Sequence, residues 1–159
     1  MDLQLGYNEK KFGANSFYSA KYPNQYEHTQ RMIASLRGDL GGERLRLLPT
    51  IYWDREYDCF ELVRGTTFGQ NHHIVNNYGA GLIANYSSLL GTTTLGGELR
   101  YEEVIGNKLG TPRAKPESYY TKFGSRTNVS LSLEHTVKLD KWLISAGTLM
   151  SHNTLLSGK

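Results

Sequence analysis

The sequence has few of the features that mark several common protein classes. It contains one cysteine, Cys59, which excludes a disulfide framework within the chain, and no spacing of Cys and His fits a zinc site. No apolar run approaches the ~18 residues that a membrane-spanning helix requires. The 18 Lys and Arg residues outnumber the 15 Asp and Glu residues only slightly, and they are scattered. Because nucleic-acid binding needs a basic patch or arm, nucleic acid is not an expected partner.

Proline is scarce as well, with 4 in 159 residues, whereas the chain holds 17 glycines and 11 tyrosines. This composition is typical of a β protein. The clearest pattern lies in residues 128–139, NVSLSLEHTVKL, where apolar and polar side chains alternate almost without exception. Because successive side chains of a strand point to opposite faces, this segment predicts a strand with one apolar and one polar face.

Similar alternation elsewhere predicts seven strands, at 2–8, 26–37, 43–58, 73–88, 92–105, 126–138 and 142–155. The connections between them are alternately long and short, at 9–25, 38–42, 59–72, 89–91, 106–125 and 139–141. In an up-and-down sheet, alternate connections lie at opposite ends. The sequence therefore predicts an all-β fold, an antiparallel up-and-down meander of about seven long strands, with the long loops at one end and the tight turns at the other.

Alternation alone leaves open whether the apolar face points into a soluble barrel or outward to lipid. The long strands and the asymmetry of the connections favour a transmembrane β-barrel. Aromatic residues near strand ends favour it too, since they prefer the membrane–water interface: Tyr52, Trp53, Tyr57, Phe60 and Trp142. We therefore expect part of a larger transmembrane barrel. The alternative is a soluble lipocalin-like β-barrel that binds a small hydrophobic ligand.

Several stretches also resemble a known family when they are taken in order and with their spacing. They are FGANSFYS (12–19), YPNQYEHT (22–29), YWDREYDCFELVRG (52–65), NHHIVNNYGAG (71–81) and GGELRYEEVI (96–105). Together they resemble the middle of the barrel of TonB-dependent outer-membrane receptors, closest to the cobalamin/siderophore-receptor type seen in Bacteroidetes. The resemblance covers essentially the whole chain. It implies a barrel of about 22 strands with a plug domain inside it.

The resemblance also implies a function and a location. Such receptors lie in the bacterial outer membrane, contact its lipid, and take up a large scarce nutrient, an iron chelate or cobalamin, with energy relayed by TonB. Residues 1–159 would form a partial β-barrel domain, with the plug, the TonB-contacting segment and the closing strands outside them. No enzyme activity and no cofactor are expected.

The long loops are where a transporter of this kind would meet its ligand, since binding residues concentrate on loops held by a rigid scaffold. Four residues each offer a polar or aromatic group there and are the candidate ligand contacts: Asn15, Tyr18, His72 and Tyr119. No metal site is predicted from His72 and His73, because adjacent strand residues point to opposite faces. No catalytic residue is predicted either, since no nucleophile-elbow motif occurs.

Two groups of charged residues need separate interpretations. One group lies at a predicted strand end and indicates a solvated surface, with ligand or divalent-bridged lipopolysaccharide as the alternative partner: Asp54, Arg55, Glu56 and Asp58. The other is expected to face the barrel lumen and to pair across strands: Arg44, Arg46, Glu98, Arg100 and Glu102.

Overall fold

The computed structural model describes residues 1–154, and these are all-β. The strands are β1 (Asp2–Gly13), β2 (Tyr26–Arg37), β3 (Leu40–Gly41), β4 (Leu45–Glu61), β5 (Asn71–Ser88), β6 (Gly91–Gly106), β7 (Thr111–Glu117), β8 (Tyr120–Leu139) and β9 (Trp142–Asn153). Seven long strands form one antiparallel meander in the order β1-β2-β4-β5-β6-β8-β9, and the predicted fold is therefore confirmed. The short strands β3 and β7 pair with β4 and β8. No helix within residues 1–154 is long and apolar enough to span a membrane.

The long and short connections alternate as the sequence predicts. Residues 14–25, 62–70 and 107–119 lie at one end of the sheet, called the loop end, and β7 lies within the last of these. The turn end carries 38–44, 89–90 and 140–141. The predicted loops were too long, because β1, β4, β5 and β8 all extend further towards the loop end than the alternation suggests. Backbone pairing needs no alternation of side chains, so the strands continue beyond the alternating segments.

The sheet is a single layer with almost no core. Among residues 1–154 only Ala14, Cys59 and Val104 are buried apolar residues. The first and last long strands, β1 and β9, each have a neighbour on one side only within the described residues, so the sheet is open. Its stability must therefore come from the backbone ladder and from whatever covers its two faces, because a domain normally buries its apolar face against a second layer.

One face of the sheet, called the apolar face, carries the odd-numbered residues of β4, β6 and β8. Its central register row contains Pro49, Leu82, Gly97, Leu131 and Met150. Leu82, Leu131 and Met150 are each about half exposed or more, at 46%, 50% and 67%. A continuous exposed apolar surface of this kind is rare on a soluble monomer and marks a surface that another phase or molecule covers.

Aromatic residues bound this apolar surface on the loop-end side. Trp53, Tyr78 and Tyr101 lie in one register row across β4, β5 and β6, and the two tyrosine rings stack at 6.3 Å between centroids. Towards the turn end the last aromatic residue on β5 is Tyr86, eight residues from Tyr78. At ~3.3 Å per residue the two are about 26 Å apart along the strand. The stretch from Tyr78 to Tyr86 thus has nine residues, within the ~9–11 residues of a tilted strand that crosses a bilayer.

Beyond the aromatic row the same face becomes polar. On β1 and β2, the Glu9 carboxylate is 2.7 Å from Lys11 Nζ and 2.8 Å from His28 Nε2. On β5 and β6, the amide of Asn76 donates a hydrogen bond to Glu103 Oε1 at 3.0 Å. The change from apolar to charged and amide side chains within one strand places a boundary at the aromatic row.

Candidate functional site

The opposite face, called the polar face, holds most of the ion pairs of the sheet. Arg31 on β2 donates two hydrogen bonds to Asp54 on β4, at 3.0 and 2.8 Å. On β6 and β8, Glu102 lies between Arg100 and Arg126 and pairs with both. Cross-strand charge pairs thus join β2 to β4 and β6 to β8 on this face, which is the pattern predicted for a lumen.

The charged residues that were predicted to face the lumen share the polar face, but Glu98 and Arg46 do not have the expected partners. Glu98 accepts a hydrogen bond from Tyr52 Oη at 2.7 Å, and Arg46 pairs with Asp39 of the turn end. Arg44 lies in the connection before β4. Arg44 and Arg46 therefore do not pair with the carboxylates of β6, because the register places β4 and β6 on either side of β5. Arg100 does pair with a carboxylate of β6, that of Glu102 on its own strand.

Tyr52 crosses β5 because the residue opposite it is a glycine. A Cβ atom on Gly79 would lie 2.1 Å from Tyr52 Cζ, so the ring occupies the space that a side chain would fill. This contact carries the Tyr52 hydroxyl to Glu98, two strands away. Tyr52 was expected among aromatic residues at the loop end. It lies instead within the sheet, on the polar face.

The predicted charge cluster at residues 54–58 is divided between the two faces. Asp54, Glu56 and Asp58 point to the polar face, whereas Arg55 points to the apolar face, level with Asn76 and just beyond the aromatic row. The alternative prediction, that these four residues form one ligand-binding cluster, is therefore wrong, because consecutive side chains of β4 alternate in direction.

A cavity of about 470 Å³ opens on the polar face at the loop end, and we call it the aromatic cavity. Phe12 pairs with Glu27, and Glu27 pairs with Phe60, so that a carboxylate lies between two phenyl rings in one register row. The Tyr18 ring packs edge-on against Phe60 at 4.9 Å, and its hydroxyl donates to Glu27 Oε2 at 2.9 Å. The cavity is lined by Phe12, Gly13, Ala14, Asn15, Phe17, Tyr18 and Glu27.

Gln25 holds the 14–25 loop in this position. Its side chain is fully buried, accepts a hydrogen bond from Tyr18 N at 3.2 Å and donates one to Ser19 O at 3.2 Å. The Ala14 amide donates to Gln25 O at 3.0 Å and so continues the β1–β2 ladder into the loop. The loop is thus folded over the polar face by the hydrogen bonds of one buried amide.

Further carboxylates lie on the polar face next to the aromatic cavity, on its turn-end side. Burial raises the pKa of Asp58 to about 6, and the charges of Glu27 and Glu56 add to this effect. His73 lies 3.9 Å from Asp58, with its ring over Gly106, and burial lowers the pKa of this histidine. This end of the polar face is therefore a region of excess negative charge.

The apolar face carries a different cluster at the loop end, beyond the aromatic row. His72 is buried, with Nε2 3.9 Å from Cys59 Sγ and 3.2 Å from Gln70 Oε1. The Tyr119 ring, in the turn between β7 and β8, stacks on His72 at 4.1 Å. Burial lowers the pKa of His72 and raises that of Cys59. Within residues 1–154 no group of three or more His, Cys, Asp and Glu residues could hold a metal ion.

The four candidate ligand contacts thus form two pairs on opposite faces. Asn15 and Tyr18 line the aromatic cavity, whereas His72 and Tyr119 contact each other on the apolar face. His72, expected in a loop, is a strand residue of β5. The four residues therefore do not form one site.

The sequence interpretation missed five of the seven residues that line the aromatic cavity: Phe12, Gly13, Ala14, Phe17 and Glu27. Phe12 and Phe17 flank Asn15 in the stretch FGANSFYS, and this density of aromatic residues around a loop was the available signal. Glu27 could not be found in this way, because its place between Phe12 and Phe60 depends on the register of three strands.

The stack of Tyr119 on His72 should hold the β7–β8 turn against the sheet. An aromatic pair contributes about 0.5–1.5 kcal/mol, so Tyr119→Ala should raise trypsin cleavage after Arg113 roughly 2- to 12-fold. Leu109→Ala, an exposed change in the same connection, should leave the cleavage rate unchanged. Equal rates for Tyr119→Ala and the unchanged protein would show that the stack does not hold the turn.

Comparison with protein-family profiles, with curated proteins and with solved structures finds no match to this chain.

Proposed function

We propose that this chain forms part of the wall and the outer loops of an outer-membrane receptor that takes up a large scarce nutrient, an iron chelate or cobalamin. The main support is a single-layer sheet whose two faces differ. One face has an exposed apolar band that ends at a row of aromatic residues, and the other has cross-strand ion pairs. In a membrane barrel the first face contacts lipid and the second lines the lumen.

The loops fit the second part of the proposal. All three long connections, 14–25, 62–70 and 107–119, lie at the same end of the sheet, beyond the aromatic row. Outer-membrane barrels have short periplasmic turns and longer extracellular loops. The aromatic cavity lies at that end on the lumen-facing side, where a ligand would arrive from outside. Energy from TonB would enter through regions outside residues 1–159.

The membrane proposal can be tested with a pair of neighbouring residues on β8. A fluorophore attached at Leu131 of the complete gene product, reconstituted in vesicles with brominated lipid, should be strongly quenched. The same fluorophore at Ser132, on the polar face, should be protected, because adjacent strand residues point to opposite faces. Stronger quenching at Ser132 would reverse the assignment of the faces.

The same pair distinguishes the soluble alternative. A lipocalin-like carrier would enclose the apolar face in a closed barrel. Leu131 would then be shielded from added quencher in a detergent-free monomer, and the protein would be recovered in the soluble fraction. Recovery in the outer-membrane fraction with Leu131 accessible to lipid is the result we expect.

A further inference from the structure

We infer that the aromatic cavity binds an organic cation, such as an alkylated ammonium group carried by the transported ligand. The inference rests on the proposed function only in placing the cavity on the path of a transported ligand. Its chemical basis is the arrangement of one carboxylate and four aromatic rings on the polar face at the loop end.

Three of the four rings neighbour Glu27, and Phe12, Phe17 and Tyr18 line the cavity with it. Phe12 and Phe60 flank Glu27 in its register row, and Tyr18 stands on Phe60 with its hydroxyl bonded to the carboxylate. Phe17 packs edge-on against Tyr18 at 4.9 Å and is 80% exposed. Ring faces and a carboxylate together attract a cation with a low hydration energy, since the ring quadrupole and the negative charge act in the same direction.

The charge around the cavity has the same sign. Glu27, Glu56 and Asp58 share this end of the polar face, and the Asp54 carboxylate is neutralised by Arg31. The cation nearest in register is Lys10 on β1, two residues before Phe12. Three carboxylates against one lysine leave the region negative, which favours a cationic ligand and disfavours a strongly anionic chelate.

The hydroxyl of Tyr18 prepares the cavity for such a ligand. Its bond fixes one oxygen of Glu27 at 2.9 Å, and the buried Gln25 holds the backbone of Tyr18. The carboxylate is therefore held in place before a ligand arrives, and less side-chain ordering is needed on binding.

The test is a titration of the complete protein, in micelles free of phosphatidylcholine, with choline and with its neutral isostere 3,3-dimethyl-1-butanol. Binding is measured by calorimetry, and choline should bind at least about tenfold more tightly than the alcohol. Glu27→Gln should weaken the binding of choline about tenfold, and Phe17→Leu should weaken it about threefold. Equal binding of choline and the alcohol, or no binding of choline, would overturn the inference.

Matched variants separate a local effect from a general one. Glu43→Gln at the turn end and Phe68→Leu in the 62–70 loop remove the same groups outside the cavity and should leave choline binding unchanged. If Glu27→Gln does not fold, Phe17→Leu still decides, since its ring is mostly exposed. Unchanged binding in both cavity variants would contradict the proposed site.

Two further outcomes separate this inference from others. Phosphatidylcholine bicelles should not displace choline from the cavity. Displacement would show that the cavity binds a lipid headgroup rather than a soluble cation. Choline binding by a protein that is absent from the outer-membrane fraction would contradict the proposed function and leave the cavity assignment standing. Outer-membrane location without choline binding would contradict the cavity assignment and leave the proposed function standing.

Discussion

Replacing Leu131 by arginine should prevent much of the protein from assembling in lipid. Leu131 lies in the central row of the apolar band, with Leu82 and Met150 in the same row. If that face meets lipid, the guanidinium is held at the depth where its desolvation is most costly. An arginine on the lipid face of a barrel at the bilayer midplane costs about 2–4 kcal/mol.

Ser132→Arg is the matched control, since it places the same side chain one residue further along β8 and on the polar face. If that face lines a lumen, the arginine would meet water and carboxylates there, so we expect a change close to zero. The free energy of unfolding in vesicles, measured by urea titration, compares the two variants. Equal costs at both positions, or a larger cost at Ser132, would exclude lipid contact for the apolar face.

The second large effect is expected at Gly91, the first residue of β6, directly after the tight turn at 89–90. Its φ of 130° lies in a region that L residues rarely adopt, and a Cβ atom there would lie 2.2 Å from Thr136 O. A backbone dihedral of this kind costs about 1–3 kcal/mol for a residue with a side chain. Gly91→Ala must also displace the backbone of β8, so its loss of stability should lie at or above the top of that range.

Gly42→Ala provides the comparison within the same end of the sheet. Nothing lies within 4 Å of a Cβ atom on Gly42, and its φ lies outside the left-handed region. This substitution should therefore be close to neutral in the same unfolding measurement. A similar loss for both variants would mean that the tight turns tolerate or reject side chains for reasons other than φ and contact.

The strand pattern could be predicted where one face is apolar and the other polar. In residues 128–139 the alternation identified both the strand and its two faces, and the structure places Leu131 and Ser132 accordingly. The same signal failed beyond the aromatic row, where the segment 9–13 of β1 carries charged residues on both faces. A strand there is held by its backbone ladder with β2, and no side-chain pattern records that pairing.

The candidate site was predictable only in part. The long loops and their aromatic residues could be identified, and Asn15 and Tyr18 do line a cavity. That His72 and Tyr119 meet on the opposite face follows from the path of the β7–β8 turn, for which the sequence offers no period or motif. The division of Arg55 from Asp54 could have been foreseen, since they are neighbours on one strand.

By itself, the sequence determined that this chain is a long-stranded antiparallel sheet with one apolar face and with its long loops at one end. Alternation and connection length depend on residues near each other in the chain, so they can be read along it. Only the tertiary structure decided which side chains share a row, and thus that Glu27 lies between Phe12 and Phe60. Register joins residues on separate strands through backbone hydrogen bonds that are chemically alike at every position, and the sheet as a whole selects among them.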